Sequence, residues 1–162
     1  MKIGFIGLGN LGRAICTRLS SLGDELIVYN RNKDKIKDLP YKIANTPKEI
    51  LKECEIIFLC LFDSPAVKNI LTQENGLLCD ELKGKTIIDL TTNHYEDVLK
   101  FHKMVNDIGG DYLENPVFGS VAPALNGALT VVSSGKTEVF ENVKPILEKI
   151  AVEIFHLEAP SS

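Results

Sequence analysis

Lys2-Ile3-Gly4-Phe5-Ile6-Gly7-Leu8-Gly9-Asn10-Leu11-Gly12 decides the fold of this chain. Lys2 to Ile6 is a short apolar run that ends at Gly7, so it reads as a buried strand. From Leu11 the apolar residues recur at Ala14, Ile15, Leu19 and Leu22, which is helical spacing, and Gly23 is placed to end that helix. Glu25-Leu26-Ile27-Val28-Tyr29 then reads as a second strand. Glycines 7, 9 and 12 therefore sit where a strand turns into a helix, with a second strand about twenty residues on. That is the context in which G-x-G-x-x-G holds a dinucleotide. Gly7 permits the tight turn, Gly9 lets the backbone approach a pyrophosphate, and Gly12 lets the helix pack close to the strand. The loop Gly7-Leu8-Gly9-Asn10-Leu11-Gly12 offers cofactor phosphates the free N–H groups and partial positive charge of a helix N-terminus.

The same alternation continues along the chain. Lys33 to Leu39 reads as a short polar helix closed by Pro40, and Tyr41 to Ala44 as a brief strand. Thr46 is a helix N-cap with Pro47 at the first helical position and Glu49 three residues on, and the helix ends near Cys54. Ile56 to Leu61 is apolar throughout, as a central parallel strand covered on both faces should be. Ser64-Pro65 opens a helix to about Leu71, and residues 69–80 read as its end and a loop at the sheet edge. Strands follow at 86–90, 110–114, 128–133 and 153–157, with helices at 93–107 and 137–150. This order predicts an α/β fold: a Rossmann-type, doubly wound, mainly parallel sheet. One domain is expected over residues 1–157, with 158–162 the start of a linker.

With 162 residues, 44% of them hydrophobic, the chain can bury a core without disulfides or metal. A net charge of −4 argues against nucleic-acid or anionic-membrane partners, and no apolar stretch is long enough for a membrane-spanning helix. Cys16, Cys54, Cys60 and Cys79 form no Cys-x-x-Cys pair, and Cys16 and Cys60 read as buried free thiols. No signal peptide is visible, and a cytoplasmic setting is expected.

The end of the second strand selects the cofactor. NAD sites carry an acid there that accepts bonds from the ribose hydroxyls. This chain has Asn30-Arg31-Asn32 instead. Asn30 removes the charge that would repel a 2′-phosphate, and Arg31 can meet that phosphate with a planar, charge-assisted contact. Lys33 and Lys35 add positive charge, so NADP is expected over NAD.

From these residues on, the chain resembles the β-hydroxyacid dehydrogenases. This family includes 3-hydroxyisobutyrate dehydrogenase and the glyoxylate/succinic semialdehyde reductases, and its N-terminal domain is similar to that of 6-phosphogluconate dehydrogenase. The markers are Gly4 to Gly9 with Gly12, Tyr29-Asn30-Arg31, Ile88-Asp89-Leu90-Thr91-Thr92, Glu114 to Ser120 and Gly127-Ala128-Leu129-Thr130. The resemblance implies that Asn30, Arg31 and Lys35 match an NADP-type segment. It implies that Leu61 lies along the cofactor riboses and that Thr92 and Asn93 meet the nicotinamide end. It also implies that Pro116, Val117, Phe118, Gly119 and Ser120 form the substrate-binding segment. That segment normally reads Asp-Ala-Pro-Val-Ser-Gly-Gly, so Phe118 replaces a Ser whose hydroxyl bonds the substrate carboxylate. Phe118 is then either a packing substitution or a sign of a less polar substrate. The family's catalytic Lys lies on a helix of a helical C-terminal domain, so no catalytic residue is expected within this chain. The Lys is expected beyond Ser162.

The resemblance implies the cofactor domain of an NADP-dependent oxidoreductase. Such an enzyme transfers a hydride between NADP(H) and a small β-hydroxyacid or its semialdehyde, and is a homo-oligomer. An imine reductase-like enzyme and a non-catalytic NADP-binding module are the alternatives. His94, His102 and His156 show no metal-ligand spacing and read as surface or satisfied side chains, so no metal site is expected. Lys144 and Lys149 read as solvated. Asp89 reads as a hydrogen-bonded acid that orients the Thr91-Thr92 turn.

Overall fold

A computed structural model describes residues 1–159. Pro160, Ser161 and Ser162 of the expected linker lie outside the described residues. In chain order the elements are β1 Lys2–Ile6, α1 Asn10–Ser21, β2 Glu25–Tyr29, β3 Lys42–Ile43, α2 Pro47–Leu51, β4 Ile56–Leu59, α3 Ser64–Thr72, β5 Thr86–Asp89, α4 Tyr95–Asp107, β6 Asp111–Glu114, β7 Val117–Phe118, α5 Val121–Asn126, β8 Leu129–Ser134, α6 Thr137–Leu147 and β9 Ala151–Leu157. They build one sheet in the order β3-β2-β1-β4-β5-β6-β8, with β9 on the far side of β8. The pairs from β3 to β6 are all parallel, as is β8 with β9. β8 runs antiparallel to β6 and β7. The sheet is therefore α/β and mainly parallel, as the alternation of elements predicts.

Period-two alternation sorts the apolar side chains into two cores, one on each face of the sheet. Phe5 and Phe58 stack with centroids 5.7 Å apart and share one face with Ile15 and Leu19 of α1 and Val143 and Leu147 of α6. Ile57 and Leu59 turn to the other face, against Ile50 of α2, Val67 of α3 and Val98 of α4. Helices on both faces confirm the doubly wound arrangement.

Several elements differ from expectation. The helix expected over 33–39 is a single 3-10 turn at Lys33–Lys35, because this polar stretch buries only Ile36 fully and Leu39 in part. The helix from Pro47 ends at Leu51 rather than near Cys54. Thr46 is its N-cap but makes no side-chain capping bond, and Glu49 accepts instead from Asn45 N–H at 2.7 Å. Residues 69–72 end α3, as expected, but those that follow are not plain loop. They carry a 3-10 turn at Leu77–Cys79 that packs against α2 and α3, with Leu77 fully buried. β7 and α5 were not expected. β7 has only two residues, and α5 buries only Ala124, so neither leaves a periodic pattern.

Two side chains differ from the readings above: half-buried Lys149 is not simply solvated, and His102 is neither at the surface nor satisfied at Nε2. Lys149 Nζ bonds both carboxylate oxygens of buried Asp24, at 2.8 and 2.6 Å. His102 is buried, lies edge-on to Tyr112 at a centroid distance of 4.8 Å, and has no partner for Nε2 among the described residues. Burial, helped by nearby Lys136, lowers its pKa to about 4. The folded chain thus resists a proton that the unfolded chain takes up near the ordinary histidine value. The contribution of His102 to stability should be fully present above about pH 6.5, fall as the pH drops, and be lost below about pH 4, a change of about 3 kcal/mol. Urea titrations of the unaltered chain and of His102→Leu between pH 7 and 4 check this. The variant should show a flatter pH dependence.

Candidate dinucleotide site

The site assembles at the C-terminal ends of the parallel strands. Between β1 and β4 the strand order reverses direction, and this switch point is where open α/β sheets leave a crevice. Gly7 leaves β1 with φ +99°, and a Cβ there would stand 2.2 Å from Cys60 O. Gly12, in the first turn of α1, would place a Cβ 2.1 Å from Gly7 O. Gly12 lets the helix meet the turn this closely, and Gly7 lets the turn meet the end of β4. A Cβ on Gly9 would meet nothing within 4 Å, so the space beside it is open. Gly9 is the N-cap of α1 and no side chain caps that helix. The N–H groups of its first turn therefore remain for an anionic ligand.

Asn30, just past β2, turns back to this loop. Its Oδ1 accepts from Leu8 N–H at 3.0 Å, and its Nδ2 donates to Asn32 O at 2.8 Å. Arg13 fastens the same two segments from the helix side. Its Nε donates to Leu8 O at 3.2 Å and its guanidinium also bonds Lys35 O. Arg31 and Lys35 are exposed, and no bond to the Arg31 guanidinium is found among the described residues. Arg13 was missed in the sequence because it looks like any helical Arg and both its acceptors are backbone carbonyls.

Across the switch point, Leu61, Thr92 and Asn93 come together beside β4 and β5. Leu61 N–H donates to Thr91 Oγ1 at 3.0 Å. Asp89, fully buried, accepts from Thr91 N–H at 2.9 Å and from Asn93 Nδ2 at 2.8 Å. This is the orienting role expected of Asp89. The segment from Pro116 begins next to it, since Asn115 N–H donates to Asp89 O at 2.7 Å. Asn93 and Pro116 line one shallow cleft. Val117 and Phe118 form β7, while Gly119 and Ser120 lead into α5. Phe118 is 61% exposed, so its ring does not serve to fill the core. Asn115 stands where the resemblance expects Ala. It is fully buried with both carboxamide atoms unpartnered, and comparison with the Asp-Ala-Pro pattern would have flagged it.

Three of the four thiols are poor nucleophiles. Burial pushes the Cys60 thiol up to about 12, Cys54 to about 11 and Cys16 higher still. Among the described residues no three His, Cys, Asp or Glu side chains gather to hold a metal, and no helix is long and apolar enough to cross a membrane.

Against known proteins, residues 2–157 match the sequence profile of the NAD binding domain of 6-phosphogluconate dehydrogenase. The chain belongs to that family. Two curated relatives of this NAD(P)-binding domain are reductases. The 2-hydroxy-3-oxopropionate reductase of Escherichia coli (strain K12) is 36% identical over 156 residues, covering 95% of this chain and 53% of the relative. Glyoxylate/succinic semialdehyde reductase 1 of Arabidopsis thaliana is 31% identical over 160 residues, covering 97% and 55%. A solved structure of Psf3 in complex with NADP+ and 2-OPP superposes with a TM-score of 0.92 at 32% identity, covering 98% of this chain and 57% of that one. The chain spans about half the length of the curated relatives it matches.

Proposed function

We propose that this domain is the NADP(H)-binding half of an oxidoreductase that moves a hydride between the nicotinamide and a small β-hydroxyacid or its semialdehyde. The observation that carries the cofactor choice is the end of β2. Asn30 stands where an NAD site would carry an acid, and Arg31 extends beside it into solvent. The glycine loop would hold the pyrophosphate through Leu8 to Gly12, with Arg31 and Lys35 on the 2′-phosphate. Leu61, Thr92 and Asn93 would take the nicotinamide end, and Pro116 to Ser120 one wall of the substrate pocket. When bound, the cofactor supplies the hydride chemistry. The protein's part is to orient it and exclude water. The names of the two reductase relatives support a carbonyl of this class as substrate. Their greater length supports a helical second domain beyond residues 1–157 that would bring the proton-transferring Lys and the other pocket wall. The four free thiols suit a reducing compartment such as the cytoplasm.

Titration with NADPH and NADH at fixed salt tests the cofactor assignment. One charge-assisted hydrogen bond is worth about 1.5–3 kcal/mol, so NADPH should bind roughly tenfold or more tightly. Arg31→Ala should weaken NADPH and leave NADH unchanged. Equal affinities in the unaltered chain would reject the assignment.

A further inference from the structure

The two halves of the site are fastened separately. On the adenine side, Asn30 and Arg13 hold Leu8. On the other side, one buried carboxylate gathers the ends of three strands. Asp89 Oδ1 takes Thr91 N–H, and Oδ2 takes both Asn93 Nδ2 and, at 2.5 Å, the hydroxyl of Tyr112. Thr91 passes the constraint to β4 through its bond from Leu61 N–H, and Asp89 O holds Asn115 at the end of β6. Tyr112 is 2% exposed and stands between Phe101 and His102 of α4, so its ring is fixed by packing and its hydroxyl is left with one task. A carboxylate only accepts. Asn93 must therefore turn its amide N–H groups to Asp89 and Thr91 O, and its orientation is set.

We propose that Asp89 and Tyr112 are positioning residues for the nicotinamide half of the cofactor, acting through Thr91 and Asn93 and leaving the adenine half untouched. This rests on the NADP(H) reading above. Neither residue touches the ligand. Asp89 is fully buried, and Tyr112 reaches the site only through it.

The test compares two ligands on the whole chain: NADPH, and adenosine 2′,5′-bisphosphate, which carries the adenine and 2′-phosphate but no nicotinamide. Tyr112→Phe removes one hydroxyl and keeps the ring. It should weaken NADPH about fivefold or more, the scale of part of one charged hydrogen bond, and leave the bisphosphate within about twofold of the unaltered chain. Asp89→Asn should show the same split, more strongly. If Asp89→Asn fails to fold, Tyr112→Phe alone decides. Equal weakening of both ligands means a general structural role and overturns the proposal, as does unchanged NADPH binding. An unaltered, folded chain that binds the bisphosphate but gains nothing from the nicotinamide half also overturns it. If that chain binds neither ligand, the NADP(H) reading itself fails and the proposal falls with it.

Discussion

Gly12→Ala should lose about a hundredfold in NADPH affinity together with a measurable part of the domain's stability, whereas Gly9→Ala should lose affinity alone. The added methyl at 12 would lie 2.1 Å from Gly7 O and 3.2 Å from the Phe5 ring. The carbonyl belongs to the turn itself, so relief requires the turn to open or α1 to withdraw from β1. Overpacking of this kind costs about 1–3 kcal/mol and occasionally more, and it outweighs the gain of about 1 kcal/mol that Ala brings to a helix interior. For a domain of this size each kcal/mol lowers Tm by about 2–4 °C, so calorimetry resolves the effect. An opened turn no longer aims its N–H groups at one point. Loss of one or two charged hydrogen bonds, each about 1.5–3 kcal/mol, gives the hundredfold figure. The methyl at 9 meets no protein atom within 4 Å and φ there is −69°, so the fold tolerates it apart from a slightly poorer cap. It projects instead into the open space beside the start of α1. A Gly9→Ala variant that binds NADPH as tightly as the unaltered chain would remove the loop from the cofactor site.

Residues 1–162 are also expected to bind NADPH without turning substrate over. The structure places several lysines far from the strand ends where hydride would move. Lys149 is engaged with Asp24 just before β2, Lys85 Nζ with Cys54 O before β4, and Lys136 with Asp111 at the start of β6. All three sit at the opposite ends of the strands from Leu61, Thr92 and Asn93. Lys33 and Lys35 lie in the 3-10 turn after β2. On the function proposed above, the proton-transferring Lys and the second pocket wall would come from a further domain; lack of a positioned acid costs about 10²–10⁴ in rate, and lack of one wall forfeits orientation as well. An assay with NADPH against glyoxylate, succinic semialdehyde and a cyclic imine, run beside a binding titration, checks both halves of the expectation. Turnover in the ordinary enzyme range of about 1–10³ s⁻¹ would place the catalytic groups inside this chain.

What could be read in the sequence, and what could not, divides along physical lines. Strands buried on both faces announce themselves as unbroken apolar runs, and Ile56 to Leu59 was legible for that reason. The glycine loop was legible because backbone geometry demands particular residues at particular spacings. Elements held by tertiary contact were hidden. The 3-10 turn at Leu77–Cys79 and helix α5 each bury a single residue of their own, and nothing in their composition shows what they pack against. The same holds within the site. Asn30 and Arg31 stood out by replacing an expected acid. The bond from Asn30 to Leu8 N–H, the reach of Arg13 to two carbonyls and the Tyr112–Asp89 contact join residues five to twenty-three positions apart in the chain, and they depend on which strands lie side by side. Lys149 and His102 were misjudged because side-chain type predicts exposure only on average: buried Asp24 holds Lys149 half-buried, and His102 packs against Tyr112.

The bond between Asn30 and Leu8 bears on how such a domain can change over generations. Only Oδ1 of Asn30 holds the glycine loop; Nδ2 serves the neighbouring Asn32 carbonyl. An aspartate offers an oxygen in the same place. Codons for Asn and Asp differ by one base, so a lineage could pass between the two side chains in a single step and keep the loop fastened on both sides of it. The step would give up the bond to Asn32 and bring in the negative charge that favours a free ribose over a phosphorylated one. On the proposed reading, cofactor choice is thus exposed to drift and selection at position 30, while the loop that would grip the shared pyrophosphate is shielded from the change.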